Sequence, residues 1–476
     1  MPMNVLIIST NQAASPMPVL PSGACLVAEA AERAGHTVTL LDLMFSADPL
    51  RLVKGRLRKT AYDAIGLSVR NIDNNDMTGT QFFLRELREL IALIRDFSDA
   101  PLIMGGAACA VMPQAMLRYL GLSCTVIGEG EAPFCRILQR IEAGKPFDDI
   151  PGVAGLTQGI FRANPAVPVK ALSVQLPSYS KWLNLRSYRS RMATIPIQTK
   201  LGCQFGCVYC TYRKIEGETY RLAEPEAVAE VARALTFSGL FDIEFVDNVF
   251  NAPLDHALAV CDSVIRAGIG ARFQSVELNP SFFTHELVTA MERAGFVGIG
   301  LTVESASDEV LQGLRKGFTA ADVHRASTIV RAHRLPCVWI FLLGGPGETE
   351  KTVLETLRFA EREIRPGDAA FFNIGIRIYP GTELETIARQ QGVLSVPPGY
   401  MLEPVFYVSP GLDPSWLRER VRDRVSRNMH FMSVDTFNLP YLPLINRIGY
   451  GLGLRAPLWR YTRRIRSGLR MLGMNA

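Results

Sequence analysis

The chain has 476 residues, 48% of them hydrophobic and 20% charged, with 39 Gly and 29 Pro, a globular composition that excludes disorder and low-complexity arrays. A prior of roughly 150 residues per domain suggests about three folded units rather than one core. The net charge of +5 is unevenly placed: residues 411–476 hold 12 Arg against four acidic groups, so the first 410 residues sum to −3 and the basicity belongs to the tail.

No apolar run approaches the about 18 to 20 residues that a membrane span needs, and the start MPMNVLIISTNQ lacks a basic region followed by a long apolar stretch. The expected location is the cytoplasm. The chain opens with a strand, VLIIS (Val5 to Ser9), a helix from about Gly23 to Ala34, and a second strand, HTVTLLD, ending at Asp42. The alternation continues through AIGLSV (Ala64 to Val69), a helix near Gln81 to Phe97, a strand PLIMGG, another helix, and TVIGEGE before a helix from about Ala132. Alternation of this kind predicts an α/β fold, a Rossmann-like doubly wound parallel sheet over residues 1–150. Its ligand pocket should lie beyond the strand C-terminal ends, in the loops after Ser9, Val69, Gly106 and Gly128.

From 151 to 190 the periodicity dissolves into Pro-, Gly- and Ser-bearing text, read as a linker. Residues 191–400 then repeat apolar strands at TIPIQT, DIEFVD, ARFQSVEL, GIGLTVES, PCVWIFLLGG and FFNIGIRIYP, with helical text between them. That pattern predicts a partial (β/α)6 barrel of TIM type, whose active site sits at the strand C-terminal ends. Residues 401–476 read as a small helical, Arg-rich C-terminal region. Its stretches LRERVRDRV and APLWRYTRRIRSGLRMLG offer either a cap for the barrel or a face for peripheral contact with an anionic membrane. No RNA-binding module follows, so nucleic acid is not an expected partner.

Nine cysteines in so long a chain do not form a disulfide scaffold, and three of them lie within eight residues. Cys203, Cys207 and Cys210 form C-x3-C-x2-C in GCQFGCVYC, directly after the strand TIPIQT, with Gly202 and Gly206 permitting a tight wrap. Three thiolates can hold three corners of a cubane iron–sulfur cluster and leave the fourth iron open to an outside ligand. A structural zinc site would need a fourth ligand, and no other Cys or His lies between Lys181 and Asp255.

CQFGCVYC resembles the signature of the radical S-adenosylmethionine (SAM) superfamily, in which SAM chelates the open iron of a [4Fe-4S] cluster. The resemblance implies reductive cleavage of SAM to methionine and a 5′-deoxyadenosyl radical, with the electron supplied by an external donor such as flavodoxin or ferredoxin. It extends over about 200 residues. Tyr209 falls at the family's aromatic position beside the adenine. EFVDNVFN resembles the segment that contacts the SAM amino group, with Asp247 and Asn248 as candidates. GIGLTVESASDEVL places Glu304 and Ser305 where polar groups reach the SAM ribose or carboxylate. GGPGET (Gly344 to Thr349) and IYPGTEL (Ile378 to Leu384) are written as in cobalamin-associated members, or are plain turns.

The first domain resembles the cobalamin-binding domain that precedes the barrel in one large class. Ser68, Gly105, Gly106, Gly128, Glu129 and Gly130 are the candidate cobalamin contacts. The D-x-H-x-x-G pattern of histidine-ligated cobalt is missing, since this domain has only His36. Arg70 falls where such members place a residue beneath the cobalt, and a catalytic role there would leave cobalt without a protein ligand and ease methyl transfer. Its alternative is a surface charge answering Asp73 or Asp76.

The function implied is a cobalamin-dependent C-methyltransferase acting on a small metabolite or lipid. Three alternatives stand beside it: a cyclase or rearrangement enzyme without net methylation, a methylthiotransferase whose first domain carries its own three-cysteine cluster, which Cys25, Cys109, Cys124 and Cys135 keep open, and a cobalamin carrier or sensor.

Overall fold

A computed structural model of the chain describes residues 2–167, 172, 174, 176–397, 401–434 and 442–471. Strand β1 (Asn4–Ser9) is buried at every position after the first, because helices cover both faces of the sheet it belongs to. It lies between β2 (Thr37–Asp42) and β3 (Ala64–Ser68), followed outward by β4 (Leu102–Gly105) and β5 (Cys124–Val126), all parallel. The order 2-1-3-4-5 is that of a doubly wound sheet whose winding reverses between β1 and β3. Helix Leu84–Phe97 shows why the layers form: Leu84, Leu87, Leu90, Ile91 and Ile94 recur at helical spacing and all face the sheet.

The stretch expected as linker opens instead with a hairpin, β6 (Val153–Thr157) and β7 (Ile160–Ala163), whose first strand pairs antiparallel with β5. Two more strands thus extend the first sheet beyond β5 to residue 163. Residues 168–171, 173 and 175 of the linker, the barrel boundary expected at 400, and the last five residues of the tail lie outside the described residues.

The second sheet contains the six expected strands in sequence order, all parallel: β8 (Ile195–Ile197), β11 (Asp242–Phe245), β12 (Arg272–Leu278), β13 (Phe296–Glu304), β14 (Cys337–Leu343) and β15 (Ala369–Ile374). The short pair β9 (Lys200–Leu201) and β10 (Arg221–Leu222) flanks the cysteine loop, and β16 (Ile376–Arg377) pairs with β17 (Phe406–Tyr407). The tail, expected to be helical, adds a seventh parallel strand, β18 (Phe431–Ser433), beside β15. Outside the sheet, the rings of Phe245, Phe250, Phe273 and Phe296 stack under the helices. Inside it, Val276, Phe371 and Trp459 pack on Val338, Ala369 and Met432.

Trp459 comes from the tail and lies on Gly298 of β13, where a Cβ would stand 2.8 Å from its ring. The tail therefore seals the barrel from below. Its arginines serve the same purpose: buried Arg466 donates to the carbonyls of Asn428 at 3.0 Å and Val425 at 2.9 Å, tying helix Thr462–Met471 to helix Pro414–Arg427. No helix among the described residues is long and apolar enough to cross a membrane.

Candidate active site between the two sheets

The chain leaves β9 through Gly202, whose φ is +89° and whose Cβ would lie 2.1 Å from the Thr219 carbonyl oxygen, so only glycine passes here. The cysteine loop that follows is tied at both ends. Cys203 N–H donates to the Gly217 carbonyl at 3.1 Å, Val208 N–H to the Leu314 carbonyl at 3.2 Å, and Cys210 N–H to the Cys207 carbonyl at 3.1 Å. All three cysteines are free thiols, Cys203 buried and the other two half-buried. Burial pushes the Cys210 thiol up to about 12, with the charges of Cys207 and Cys203 adding and Lys316 opposing. Burial likewise raises Cys203, again with Cys207 adding and Lys316 opposing. A metal ion beside the loop would supply the positive charge that favours the thiolates of Cys203 and Cys210. Among the described residues no three His, Cys, Asp or Glu groups close round a single ion.

Two residues next to this loop are satisfied from within. The buried Asp247 carboxylate accepts from Thr199 N–H at 2.6 Å, the Thr199 hydroxyl at 2.6 Å, Lys200 N–H at 3.1 Å and Lys200 Nζ at 3.5 Å. It braces the turn that leads into Gly202. Ser305 is fully buried, with its hydroxyl 3.0 Å from Thr356 Oγ1 and accepting from Ser307 N–H at 3.2 Å, so it faces the helix layer.

Their neighbours point elsewhere. Asn248 Nδ2 donates to Glu216 Oε2 at 2.6 Å, an oxygen that also accepts Gly202 N–H at 3.1 Å. Glu304, with φ at +60°, ends β13, and its Oε1 accepts from Tyr209 OH at 2.8 Å and Lys316 Nζ at 3.0 Å. Glu348 closes the GGPGET turn by accepting the N–H groups of Gly344 and Gly345; burial pushes it up to about 7, and its Oε1 has no partner among the described residues.

The first sheet presents its strand C-terminal edge to this region. Asp73, in the loop after β3, forms a fully buried ion pair with Arg377 at 2.9 Å, and Tyr379 OH donates to Asn75 at 2.8 Å. Glu129 binds Arg221 at 2.5 Å and Asp42 accepts from Tyr188 OH at 2.7 Å. Gly105, Gly106, Gly128, Glu129 and Gly130 lie on the same edge as Ser68, and Gly106 lets the loop after β4 press on the loop after β3: a Cβ there would stand 2.4 Å from the Val69 carbonyl oxygen. His36 precedes β2 and so lies at the opposite edge.

Arg70 is not the partner of Asp73, which Arg377 occupies. It retains accessible surface, yet burial is the first cause lowering its pKa, with Tyr212 and Glu244 of the barrel opposing. Tyr212 is 47% accessible, yet burial pushes its hydroxyl up to about 12, with Glu277 and Glu216 adding and Arg70 opposing. Arg70 of the first domain and Tyr212 and Glu244 of the barrel thus feel one another's charge across the junction of the two domains. Glu277 joins them: burial, with Glu304 and Glu244 adding, pushes its carboxyl up to about 8.

Two family models match this chain: the radical SAM superfamily over residues 197–360 and the B12-binding domain over residues 9–138. The chain belongs to the radical SAM superfamily and carries a B12-binding domain. Proteins similar to it include tryptophan 2-C-methyltransferase of Streptomyces laurentii, 24% identical across 79% of this chain and 73% of that protein. Another is hopanoid C-3 methylase of Methylococcus capsulatus, 25% identical across 76% and 67%. The structure of the radical SAM methyltransferase TsrM from Kitasatospora setae, with cobalamin and a [4Fe-4S] cluster bound, shares the fold: TM-score 0.86, 24% identity, 99% of each chain.

As a radical SAM enzyme of this kind, the protein works with a [4Fe-4S] cluster, SAM and cobalamin. The residues present fit them: three free thiols on one tied loop, a carboxylate and a cation on Tyr209 of that loop, and a glycine-bearing strand edge at the junction with the barrel. Sequence reasoning missed Lys316, Glu216, Tyr212 and Glu277. Glu277 could have been found, since it stands near the end of an apolar strand just as Glu304 does.

Proposed function

We propose that this radical SAM enzyme is a cobalamin-dependent methyltransferase acting on a carbon of a small molecule. The observation that carries the reading is the junction of the two domains, where the buried pair of Asp73 with Arg377 and the pair of Glu129 with Arg221 set the C-terminal edge of the first sheet against the barrel that carries the cysteine loop. The two relatives named above, both C-methylating by name, support it. When bound, the cluster and SAM supply a hydrogen-abstracting radical and cobalamin supplies methyl-group chemistry.

In this reading Cys203, Cys207 and Cys210 hold the cluster, and Tyr209, Asn248 and Glu304 line the SAM side, with Asp247 and Ser305 acting behind them. Ser68, Gly105, Gly106, Gly128, Glu129 and Gly130 would hold the cobalamin, and Arg70 would offer its cobalt a cation with no lone pair. Glu277, Glu244 and Tyr212 favour a substrate with polar atoms at its reacting end, and an external donor delivers the electron. The methylthiotransferase alternative is weakened because Cys25, Cys109 and Cys124 sit in three different hydrophobic cores.

The test supplies the cofactor-loaded protein with SAM labelled in its methyl group and a small-molecule extract of its host. An acceptor heavier by one labelled methyl supports the reading. Release of 5′-deoxyadenosine with an acceptor changed but unlabelled would replace it with cyclisation or rearrangement, and no consumption of SAM would remove both.

A further inference from the structure

After Asp435 the sequence holds seven Arg and no Asp, Glu or Lys. The first described helix of this stretch, Leu442–Gly451, is seated on one side only. Leu442, Asn446 and Gly449 are buried: Asn446 Nδ2 donates to the Pro16 carbonyl at 3.2 Å, and a Cβ on Gly449 would lie 3.2 Å from Leu454 and 3.5 Å from Met192. Met192 stands just before β8, so the helix lies at the N-terminal end of the barrel strands, the end that Trp459 also covers. The cysteine loop lies at the opposite end.

The other side of the helix is apolar and bare. Leu444, Ile448 and Leu452 recur every four residues, one above the next, and are 56%, 54% and 79% exposed. The Leu452 N–H donates to the Ile448 carbonyl at 2.9 Å, so the last of the three still belongs to the helical run. Arg447 is exposed beside them, and Arg455 closes the helix end by donating to the carbonyls of Tyr450 at 3.1 Å and Leu454 at 2.8 Å. Among the described residues neither forms an ion pair, nor do Arg463 and Arg464, which are exposed on helix Thr462–Met471. A single exposed leucine is ordinary, but three in a row beside unpaired arginines make a surface built for a partner.

The charges select which partner. A second copy of the chain laid on the stripe would set Arg447 near its like with no acid at hand. A nucleic acid would answer the arginines and leave the apolar side chains in water. An anionic lipid layer answers both, because its headgroups attract arginine and its acyl boundary takes the apolar face of a helix lying in the plane.

We propose that the outer face of helix Leu442–Gly451 docks the protein on an anionic lipid surface, with Leu444, Ile448 and Leu452 entering the acyl boundary and Arg447 at the headgroups. The contact is peripheral and spans nothing. It leaves the end of the barrel that carries the cysteine loop turned away from the lipid, and it stands whether or not the enzyme transfers a methyl group.

The test is co-sedimentation of the full-length, cluster-loaded protein with vesicles of phosphatidylcholine alone and of phosphatidylcholine mixed with phosphatidylglycerol. The protein should pellet with the mixed vesicles, stay in solution with the neutral ones, and be released by added salt. The double variant Ile448→Gln with Leu452→Gln, and separately Arg447→Glu, should each weaken partition about tenfold at unchanged iron content and melting temperature. Ile160→Gln, which alters an exposed apolar residue on β7 of the first domain, should leave partition as it was. No pelleting with the mixed vesicles overturns the proposal, and so does equal pelleting with the neutral ones or an equal loss in Ile160→Gln. A dimer in light scattering that the double variant dissolves, without vesicle binding, would make the stripe an interface between copies and overturn it as well. Should the double variant fold poorly, Arg447→Glu with the salt and lipid response of the unaltered protein decides alone.

Discussion

Glu277 is a carboxyl kept in its acid form by its surroundings, with burial as the main cause and the charges of Glu304 and Glu244 adding. The sign of its effect on stability follows. Its folded pKa of about 8 lies above the unfolded value, so between the two the folded protein binds more protons and is destabilised as pH rises; above about 8 the loss is complete. In denaturant unfolding of the cofactor-free protein from pH 5 to pH 9, Glu277→Gln should therefore lose less stability across that range than the unaltered chain. Equal pH slopes would show that burial does not hold the Glu277 carboxyl in its acid form. At this scale the cysteine triplet was legible because its whole signal is local. Side-chain direction was not: Glu304 and Ser305 are adjacent, yet one meets Tyr209 and Lys316 while the other meets Thr356. Successive residues at a strand end point to opposite faces, so a motif names the pair without saying which member turns to the ligand.

Glycine at the strand-to-loop junctions decides whether whole elements can approach. Gly106 has φ at +108° and no room for a Cβ beside Val69, whereas Gly23 lies within helix Ser22–Arg33 with nothing within 4 Å of its would-be Cβ. Gly106→Ala should cost about 1–3 kcal/mol and weaken cobalamin binding, because it pushes the loop that carries Arg70. Gly23→Ala should instead stabilise by about 0.5–1 kcal/mol and leave cobalamin binding alone. Thermal melts with a cobalamin titration check both, and similar behaviour of the two variants would refute the contrast. The long apolar strands of both sheets were readable by their bounded hydrophobic runs. Strands β6, β7 and β18 were not: each is three to five residues long, and β18 finds its partner β15 more than 50 residues earlier in the chain. Short strands of this kind are selected by a partner edge that local periodicity cannot see. The tail reads as helical with a cap on the barrel as one of its two roles, but the strand within it escaped for the same reason, since the apolar floor that Trp459 completes is assembled from β12, β14, β15 and β18.

The function of the whole molecule depends on two sheets holding their C-terminal edges together, and the buried pair of Asp73 with Arg377 is the contact best placed to do so. The two partners are not equivalent. Asp73 Oδ2 accepts from Arg377 Nε at 2.9 Å, but Arg377 also donates to the carbonyls of Ile378 at 2.6 Å, Met401 at 2.9 Å and Leu402 at 3.3 Å. Removing the arginine strands a buried carboxylate and several carbonyls at once, and breaking a buried pair from one side costs about 3–5 kcal/mol. Removing only the acid's charge leaves the arginine most of its acceptors. Arg377→Met should therefore weaken domain docking more than Asp73→Asn, and the double variant should recover part of the loss, because no lone charge remains. The loss falls on the junction and not on either core, so Arg377→Met should keep its iron, lose cobalamin affinity, and unfold in two steps rather than one. Calorimetry with iron and cobalamin analysis separates these outcomes: a single transition with undiminished cobalamin binding would mean that Glu129 with Arg221 and Asp42 with Tyr188 hold the two halves without it.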